Sequence, residues 1–337
     1  MTGRQLGIAV LESEIGALQR VYHSKITPRL SKSAAVPRNY CAISPIPLPC
    51  SKPWATLSMK LDSSNSPIYL PEPSQESVLR LGFENCSSDS WIYAANDLSL
   101  FNRHKSELGH TATATCYAEI AGSENTQAEF HDFLLQHLLQ NPDLGYRREG
   151  SKLIQQQEDL VWNIGEKKLW PASVWVAEDI CLLEPRGDDF IMTAASVCSP
   201  SNWLLEDKIG QTVDFIHAPV PGYEEVLSRR VNRFLQGLPS GKVMLRYNWS
   251  IQRGNELCWR GEGLSATTPI DPSDGDLFWR VERQTFIRLP QSGAIVFGIR
   301  IFLHSFDSLR HREGFTESME RLLSQLPEAE KRYKDLA

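Results

Sequence analysis

Apolar side chains recur every three or four residues in three stretches of the chain, which predicts three helices. The clearest stretch runs from residue 127 to residue 140, where Asn141-Pro142 stops it. The second stretch is residues 223–237, where one side of the predicted helix carries Val226, Leu227, Val231, Phe234 and Leu235. The third stretch, residues 306–326, combines such a pattern with many charges and predicts a closing helix.

Short apolar runs rich in β-branched and aromatic residues predict strands between and after these helices. Turn signals such as Arg186-Gly187-Asp188-Asp189 and Ser292-Gly293 separate them. The last strands follow one another with no crossover helix, so we expect antiparallel pairing and an α+β fold with helices on one face of the sheet. The predicted strands are residues 180–183, 190–197, 243–251, 277–289 and 294–303.

Charged residues interrupt the strand predicted at 277–289. Alternation places Arg280, Glu282 and Arg288 on one face and Arg283 on the other, more apolar face. Buried charge is costly unless it is paired or used. Two interpretations stay open: solvated or mutually paired charges, with Arg280 bound to Glu282, or arginines that hold an anionic group through their planar donor fork.

Charge is spread unevenly along the 337 residues, whose net charge is −6. Residues 1–60 carry a net charge of +6, so residues 61–337 carry −12. This balance gives no reason to expect nucleic acid or an anionic membrane as a partner. No apolar run approaches the roughly 20 residues of a membrane span. The seven cysteines never form C-x-x-C, which argues against a zinc ribbon, an iron–sulfur cluster or covalent haem, and favours a reducing cytoplasm.

Residues 1–75 do not read as a fold, because Pro45, Pro47, Pro49 and Pro53 begin a Ser/Pro-rich stretch. This extension is either disordered or spurious, with translation starting at Met59, or residues 1–58 form an organelle transit peptide. The domain proper is predicted at residues 76–330.

One histidine lies in an unusual local frame, Ile216-His217-Ala218-Pro219-Val220-Pro221-Gly222. Two prolines one residue apart stiffen a loop, and a stiff loop that holds one imidazole suits a metal or cofactor ligand. No H-E-x-x-H spacing occurs, and Gly261-Glu262-Gly263 precedes prolines instead of a helix, so it predicts a hairpin loop and not a nucleotide site. The remaining histidines of interest are expected in partly buried helix positions (His131, His137) or at the solvated surface (His104, His110, His304, His311).

Seven short motifs, in order, resemble those of the haem-dependent oxidative N-demethylase family, alpha-subunit-like, over roughly residues 80–325. They are Trp162, Glu178-Asp179-Ile180-Cys181-Leu182-Leu183, Cys198-Ser199-Pro200-Ser201-Asn202-Trp203, Asp207-Lys208-Ile209-Gly210, the His217 frame, Arg246-Tyr247-Asn248-Trp249-Ser250, and Arg280-Val281-Glu282-Arg283-Gln284-Thr285 with Arg288-Leu289-Pro290.

The resemblance implies a PAS-like fold, in which helices flank an antiparallel sheet that holds haem b without a covalent bond. It implies a monooxygenase that oxidises a small methylated secondary amine with dioxygen and releases formaldehyde. Electrons would come from a separate reductase subunit that carries flavin and an iron–sulfur centre. This chain shows no motif of its own for those groups.

On this resemblance, His217 is expected to be the axial haem ligand. Arg283 and Arg288 are expected to anchor the haem propionates or to support the pocket. A methylated amine is a cation at neutral pH, so an acidic group is expected near it, with Glu178, Asp179 and Glu282 as candidates. The alternative function is a haem-binding PAS-type sensor that turns over no substrate.

Overall fold

The computed structural model describes residues 69–70, 82–94, 96–111, 113–259, 270, 274–334 and 336. All of them lie within one compact unit, Ser58–Ala337. The hairpin loop predicted around Gly261 and most of the predicted extension, residues 1–75, lie outside the described residues. Two residues of that extension contact the sheet. The ring of Tyr69 stacks on Tyr247 at 4.8 Å between centroids, and its carbonyl accepts a 2.9 Å hydrogen bond from Trp279 Nε1.

The described residues form a seven-stranded sheet and a separate three-stranded sheet. The strands, in chain order, are β1 (Glu84–Cys86), β2 (Tyr117–Glu119), β3 (Tyr146–Glu149), β4 (Lys152–Gln155), β5 (Leu160–Asn163), β6 (Asp179–Arg186), β7 (Asp189–Ser196), β8 (Val243–Arg253), β9 (Leu277–Arg288) and β10 (Ile295–Ser305).

The large sheet has the strand order β1-β8-β9-β10-β6-β7-β2, and every pairing in it is antiparallel. The hairpin β6-β7 and the meander β8-β9-β10 are separated by helices, and β10 returns to pair with β6. All five strands predicted from the sequence are present, and the α+β class is confirmed. The small sheet has the order β3-β4-β5.

The pleat divides the large sheet into two faces, named here after residues of β9. The Arg283 face carries Trp279, Val281, Arg283, Thr285 and Ile287, all buried. The Glu282 face carries Phe278 and Arg280, which are buried, and Glu282, Gln284, Phe286 and Arg288, which are half-buried. The alternation predicted from the sequence is therefore confirmed.

Helices cover both faces of the large sheet, so the expectation of helices on one face was wrong. They are α1 (Leu98–Thr111), α2 (Thr113–Cys116), α3 (Glu124–Gln140), α4 (Leu169–Ser173), α5 (Val213–His217), α6 (Tyr223–Val226), α7 (Ser228–Gly237), α8 (Phe306–Leu309), α9 (Phe315–Gln325) and α10 (Glu328–Tyr333).

Two apolar clusters show which helix lies on which face. Phe130 and Leu134 of α3 pack with Ile287 on the Arg283 face. Val213 of α5 and Leu235 of α7 pack with residues of the Glu282 face such as Ile295 and Phe286. Segments 223–237 and 306–326, predicted as single helices, each divide in two, after Val226 and after Leu309. None of the described helices is both long and apolar enough to cross a bilayer.

Candidate functional site

His217 is the last residue of the short helix α5 instead of lying in a loop. Thr212 caps the start of this helix, because its hydroxyl accepts a 3.2 Å hydrogen bond from Phe215 N. Nδ1 of His217 lies 2.8 Å from Val213 O. A carbonyl can only accept, so Nδ1 carries the hydrogen and the lone pair is on Nε2. Among the described residues Nε2 has no hydrogen-bond partner, and His217 is exposed.

A tyrosine fixes the plane of this imidazole. The rings of His217 and Tyr223 stack with 5.0 Å between centroids and 13° between planes. The hydroxyl of Tyr223 donates to Asp214 Oδ1 at 3.1 Å. The other oxygen of Asp214 accepts from Ser228 Oγ at 2.8 Å and from Asn232 Nδ2 at 3.2 Å. Residues of α5, α6 and α7 therefore meet at one carboxylate.

The surroundings of His217 favour its neutral form. Although the residue is exposed, nearby protein atoms restrict the hydration of its ring, and this desolvation lowers the pKa of the imidazole. The hydrogen bond to Val213 and the charge of Asp214 oppose this change, and the charge of Arg246 adds to it. A neutral imidazole with an available Nε2 lone pair is the form that binds iron.

The Glu282 face of the sheet continues this region through half-buried side chains. Ile216 of α5 packs in the same apolar cluster as Phe286, Phe297 and Met244. Arg246 is paired in register with Gln284, and Asn248 with Glu282. The face therefore offers apolar rings and aliphatic groups beside polar and charged ones, a mixture typical of ligand-binding surfaces.

Glu282 is a half-buried carboxylate in the polar part of this face. Its Oε2 accepts hydrogen bonds from Gln284 Nε2 at 2.9 Å and from Asn248 Nδ2 at 3.2 Å. Its Oε1 lies 3.8 Å from Arg280 Nε, so the pairing of these two residues that the sequence suggested is present. The charges of Glu282 and Arg246 both act on Tyr333, whose pKa is raised mainly because nearby protein atoms restrict the hydration of its hydroxyl, although the residue is exposed.

Glu178 and Asp179 are both buried and hold backbone segments. Glu178 Oε1 accepts from Tyr93 N at 2.9 Å. The two oxygens of Asp179 accept from Cys198 N at 3.0 Å and Ser199 N at 2.8 Å. Burial raises the pKa of Asp179, and the charge of Lys105 opposes that rise. These contacts do not bring either carboxylate together with His217.

Arg283 and Arg288 also donate to backbone carbonyls. Arg283, on the buried face, donates to Trp91 O at 3.3 Å and to Ser90 O. Arg288 donates to Leu238 O and to Gly293 O, both at 2.7 Å, and to the last carbonyls of α7. Arg288 thus caps the helix that carries Ser228 and Asn232.

The other histidines among the described residues lie outside α5, α6 and α7. His131 and His137 are at least partly buried on α3, as predicted, whereas the prediction that His304 is solvated was wrong, because it is buried in β10. A cavity of about 140 Å³, lined by Tyr93, Asp97, Tyr146 and Gln155 among others, contains none of the predicted site residues. We therefore place the candidate site at His217. The chemistry of the side chains around this residue identifies the site, and the volume of a cavity does not.

Sequence reasoning missed Arg246, Tyr223 and Asp214 as site residues. Arg246 begins a motif that was recognised, but nothing in that motif indicates that its charge reaches His217. Tyr223 follows His217 by six residues, a spacing that does not place two side chains on one side of a helix. Only the turn between α5 and α6 brings the two rings together.

A comparison with known families identifies the family of this chain. Residues 82–337 match the family described as haem-dependent oxidative N-demethylase, alpha subunit-like. The match covers well over half of the chain and includes the whole seven-stranded sheet with α5, α6 and α7. The chain belongs to the haem-dependent oxidative N-demethylase, alpha subunit-like family.

Proposed function

We propose that this chain is the haem-binding subunit of an oxidative N-demethylase and that His217 Nε2 is the axial ligand of a non-covalent haem b. The observation that carries the proposal is the state of this imidazole. Its Nδ1 is bound to Val213 O, its plane is fixed on Tyr223, and its Nε2 has no partner among the described residues. Metal-binding histidines characteristically donate their other ring nitrogen in this way.

The fold supports a PAS-like description of the domain. Five neighbouring strands of the large sheet lie in the order β7, β6, β10, β9, β8. When they are numbered along the chain from β6, this order is 2-1-5-4-3. Helices α5, α6 and α7 connect the second of these strands to the third, and residues of α5 and α7 pack on the Glu282 face. These helices and that face are the elements that would hold the haem.

Three arginines have different roles in this proposal. Arg246 is the one whose charge reaches His217, and it is the first candidate to pair with a haem propionate. Arg288 supports the pocket by capping α7, and Arg283 supports it by holding residues 90 and 91 against the sheet.

Glu282 is the carboxylate that we propose for recognition of a methylated ammonium substrate. It is half-buried on the Glu282 face, and its hydrogen bonds from Gln284 and Asn248 orient it there. Glu178 and Asp179, the other two acidic candidates, are both buried and already bind backbone amides. Haem held here would supply dioxygen binding and activation, and Glu282 would bind the amine.

The ligand assignment is tested with the full chain loaded with haem. Purified wild-type protein should show a Soret band that shifts on reduction and on addition of carbon monoxide. His217→Ala should lose haem or change that spectrum, whereas the exposed His110 of α1 offers a matched control, His110→Ala, that should behave as wild type. Unchanged haem content and spectrum in His217→Ala would remove His217 from the site.

The substrate class is tested with the same protein and dimethylamine. We expect an amine-dependent spectral change and, with a reducing partner, release of formaldehyde. Glu282→Gln should raise the amine dissociation constant by roughly tenfold or more, as expected for loss of a charge-assisted hydrogen bond. Glu84→Gln, an exposed substitution in β1, is the control. Haem binding with no response to any methylated amine would instead support a haem-binding sensor.

A further inference from the structure

Asp214 has an unusual number of donors directed at it. Its two oxygens accept from the hydroxyl of Tyr223, the hydroxyl of Ser228 and the amide of Asn232, at 3.1, 2.8 and 3.2 Å. Ser228 and Asn232 are four residues apart and therefore lie on the same side of α7. The carboxylate thus joins α5, which carries it, to the two helices that follow.

The consequence of this network lies at the ring of Tyr223. A tyrosine whose hydroxyl is held by a carboxylate loses most of its freedom to tilt or swing, because both ends of its side chain are then fixed. The face of this ring lies on the imidazole of His217, with only 13° between the two planes. The hydrogen bond from His217 Nδ1 to Val213 O fixes one edge of the imidazole, and the stacked ring of Tyr223 restricts its remaining tilt.

We propose that Tyr223 and Asp214 are positioning residues that set the orientation of the His217 imidazole toward iron. This inference rests on the proposed haem site and deepens it. Two contacts at right angles, an edge hydrogen bond and a face-on stack, define one ring orientation. Partners that fix a metal ligand in this way typically contribute about 10- to 100-fold to metal affinity.

The test compares haem-loaded, full-length variants at the two positions. Tyr223→Leu removes both the stack and the hydroxyl, Tyr223→Phe removes only the hydroxyl, and Asp214→Asn weakens the network from the other end. Transfer of haem to an excess of a haem-scavenging apoprotein gives the rate of haem loss. We expect Tyr223→Leu to lose haem about tenfold faster than wild type, with Tyr223→Phe and Asp214→Asn between the two.

A second measurement separates positioning from mere support of the fold. Electron paramagnetic resonance of the ferric protein reports the spread of axial-ligand orientations in its line widths. We expect broader lines in Tyr223→Leu and a partial return toward the wild-type width in Tyr223→Phe, which keeps the stacked ring. Faster haem loss with unchanged line widths would mean that Tyr223 only supports the fold, and it would overturn the proposal.

The chain offers a matched control, Tyr117, which packs with the apolar cluster on the Arg283 face of the sheet. Tyr117 of β2 also donates its hydroxyl to a carboxylate, Glu119 Oε2, at 2.7 Å. Tyr117→Phe should leave both measurements unchanged. If Tyr223→Leu does not fold, as judged by circular dichroism, the other two variants carry the test, and wild-type values in both of them would overturn it.

The outcomes also separate this inference from the proposed function. If wild-type protein takes up no haem, or if His217→Ala keeps the wild-type spectrum, the haem site itself is wrong. If wild type and His217→Ala behave as proposed but the variants at Tyr223 and Asp214 match wild type, only the positioning role is wrong.

Discussion

Buried arginines hold this sheet together mainly through backbone carbonyls. Arg280 is fully buried and donates to Ser199 O, to Leu257 O at 3.1 Å and to Gln252 Oε1 at 3.1 Å. Its ion pair with Glu282 is longer, with 3.8 Å between Arg280 Nε and Glu282 Oε1. Such a residue links segments that are distant in sequence, and its loss leaves buried acceptors without a donor.

We therefore expect Arg280→Met to lower the free energy of unfolding by about 3–5 kcal/mol, the usual consequence of breaking a buried charged network. Arg253 lies on the neighbouring strand, β8, and pairs with Asp274 at 2.7 Å, but its side chain is 47% exposed. Arg253→Met should cost about 1 kcal/mol or less. Urea unfolding measures both, and equal losses would contradict the structural role of Arg280.

A histidine of α3 should make the stability of the protein depend on pH. Burial lowers the pKa of His137 to about 4, although the charge of Asp89 opposes this. In the unfolded chain this imidazole takes up a proton near pH 6.5, whereas in the folded chain it stays neutral until about pH 4. The unfolded state therefore binds more protons in this window, and stability falls as the pH drops from 6.5 to 4.

The contribution of His137 is about 2 kcal/mol, discounted because the residue is only partly buried. Between pH 7 and pH 4.5, the free energy of unfolding should fall by about 2 kcal/mol less in His137→Gln than in wild type. His110→Gln, at an exposed position of α1, should follow the wild-type curve. The role assigned to His137 would be wrong if its variant and wild type lost the same stability.

A glycine within β10, Gly298, allows close packing on the Arg283 face. A Cβ at Gly298 would lie 2.8 Å from Thr285 Oγ1 and 4.0 Å from Glu178 Cγ. The backbone there is regular strand, so only space matters. Thr285 is fully buried and its χ1 is stiff, so it cannot easily yield.

Gly298→Ala should therefore cost about 1–3 kcal/mol through overpacking, measured by chemical unfolding. In a Thr285→Ala background the same substitution should cost much less, because the clashing hydroxyl is gone. Gly165→Ala, at a glycine with no atom within 4 Å of the added Cβ, should change stability by no more than about 0.5 kcal/mol. Additive effects of Gly298→Ala and Thr285→Ala would contradict this packing argument.

Strands β6 to β10 could be predicted from the sequence because their apolar residues alternate or run continuously and turn residues separate them. Strands β1 to β5, of three or four residues each, are too short to give such a pattern and were not predicted. Helix α1 could not be predicted either, because Lys105, on its buried side, reads as a solvent-facing residue. The structure shows that its ammonium donates to the carbonyls of Ser173, Val176 and Glu178. A charge that is satisfied by backbone groups far along the chain leaves no periodic signal.

The candidate site was also predictable only in part. The two prolines after His217 made this residue stand out, but the contacts that orient its ring depend on how three helices pack, and sequence spacing does not encode that. The predicted roles of Arg283 and Arg288 came from residue type, which does not tell an arginine that binds carbonyls from one that binds a carboxylate. Burial and hydrogen-bond partners make that distinction.

The description of this family as alpha subunit-like implies that its members work with other subunits. Oxidative N-demethylation converts the methylated amine, dioxygen, two electrons and two protons into the demethylated amine, formaldehyde and water. The amine supplies two of the four electrons that dioxygen requires, so another donor must supply two. A single haem does not readily take a hydride from a nicotinamide cofactor without a relay.

We therefore expect no sustained formaldehyde release when the purified, haem-loaded chain receives dimethylamine, dioxygen and NADPH with no second protein. Adding a reductase fraction that carries flavin and an iron–sulfur centre should start turnover, and His217→Ala in the same mixture should stay inactive. Dithionite should reduce the haem in the wild-type chain alone, which shows that the cofactor is competent and only the relay is missing. Sustained turnover with NADPH alone would contradict the need for a partner, because this chain would then accept the hydride itself.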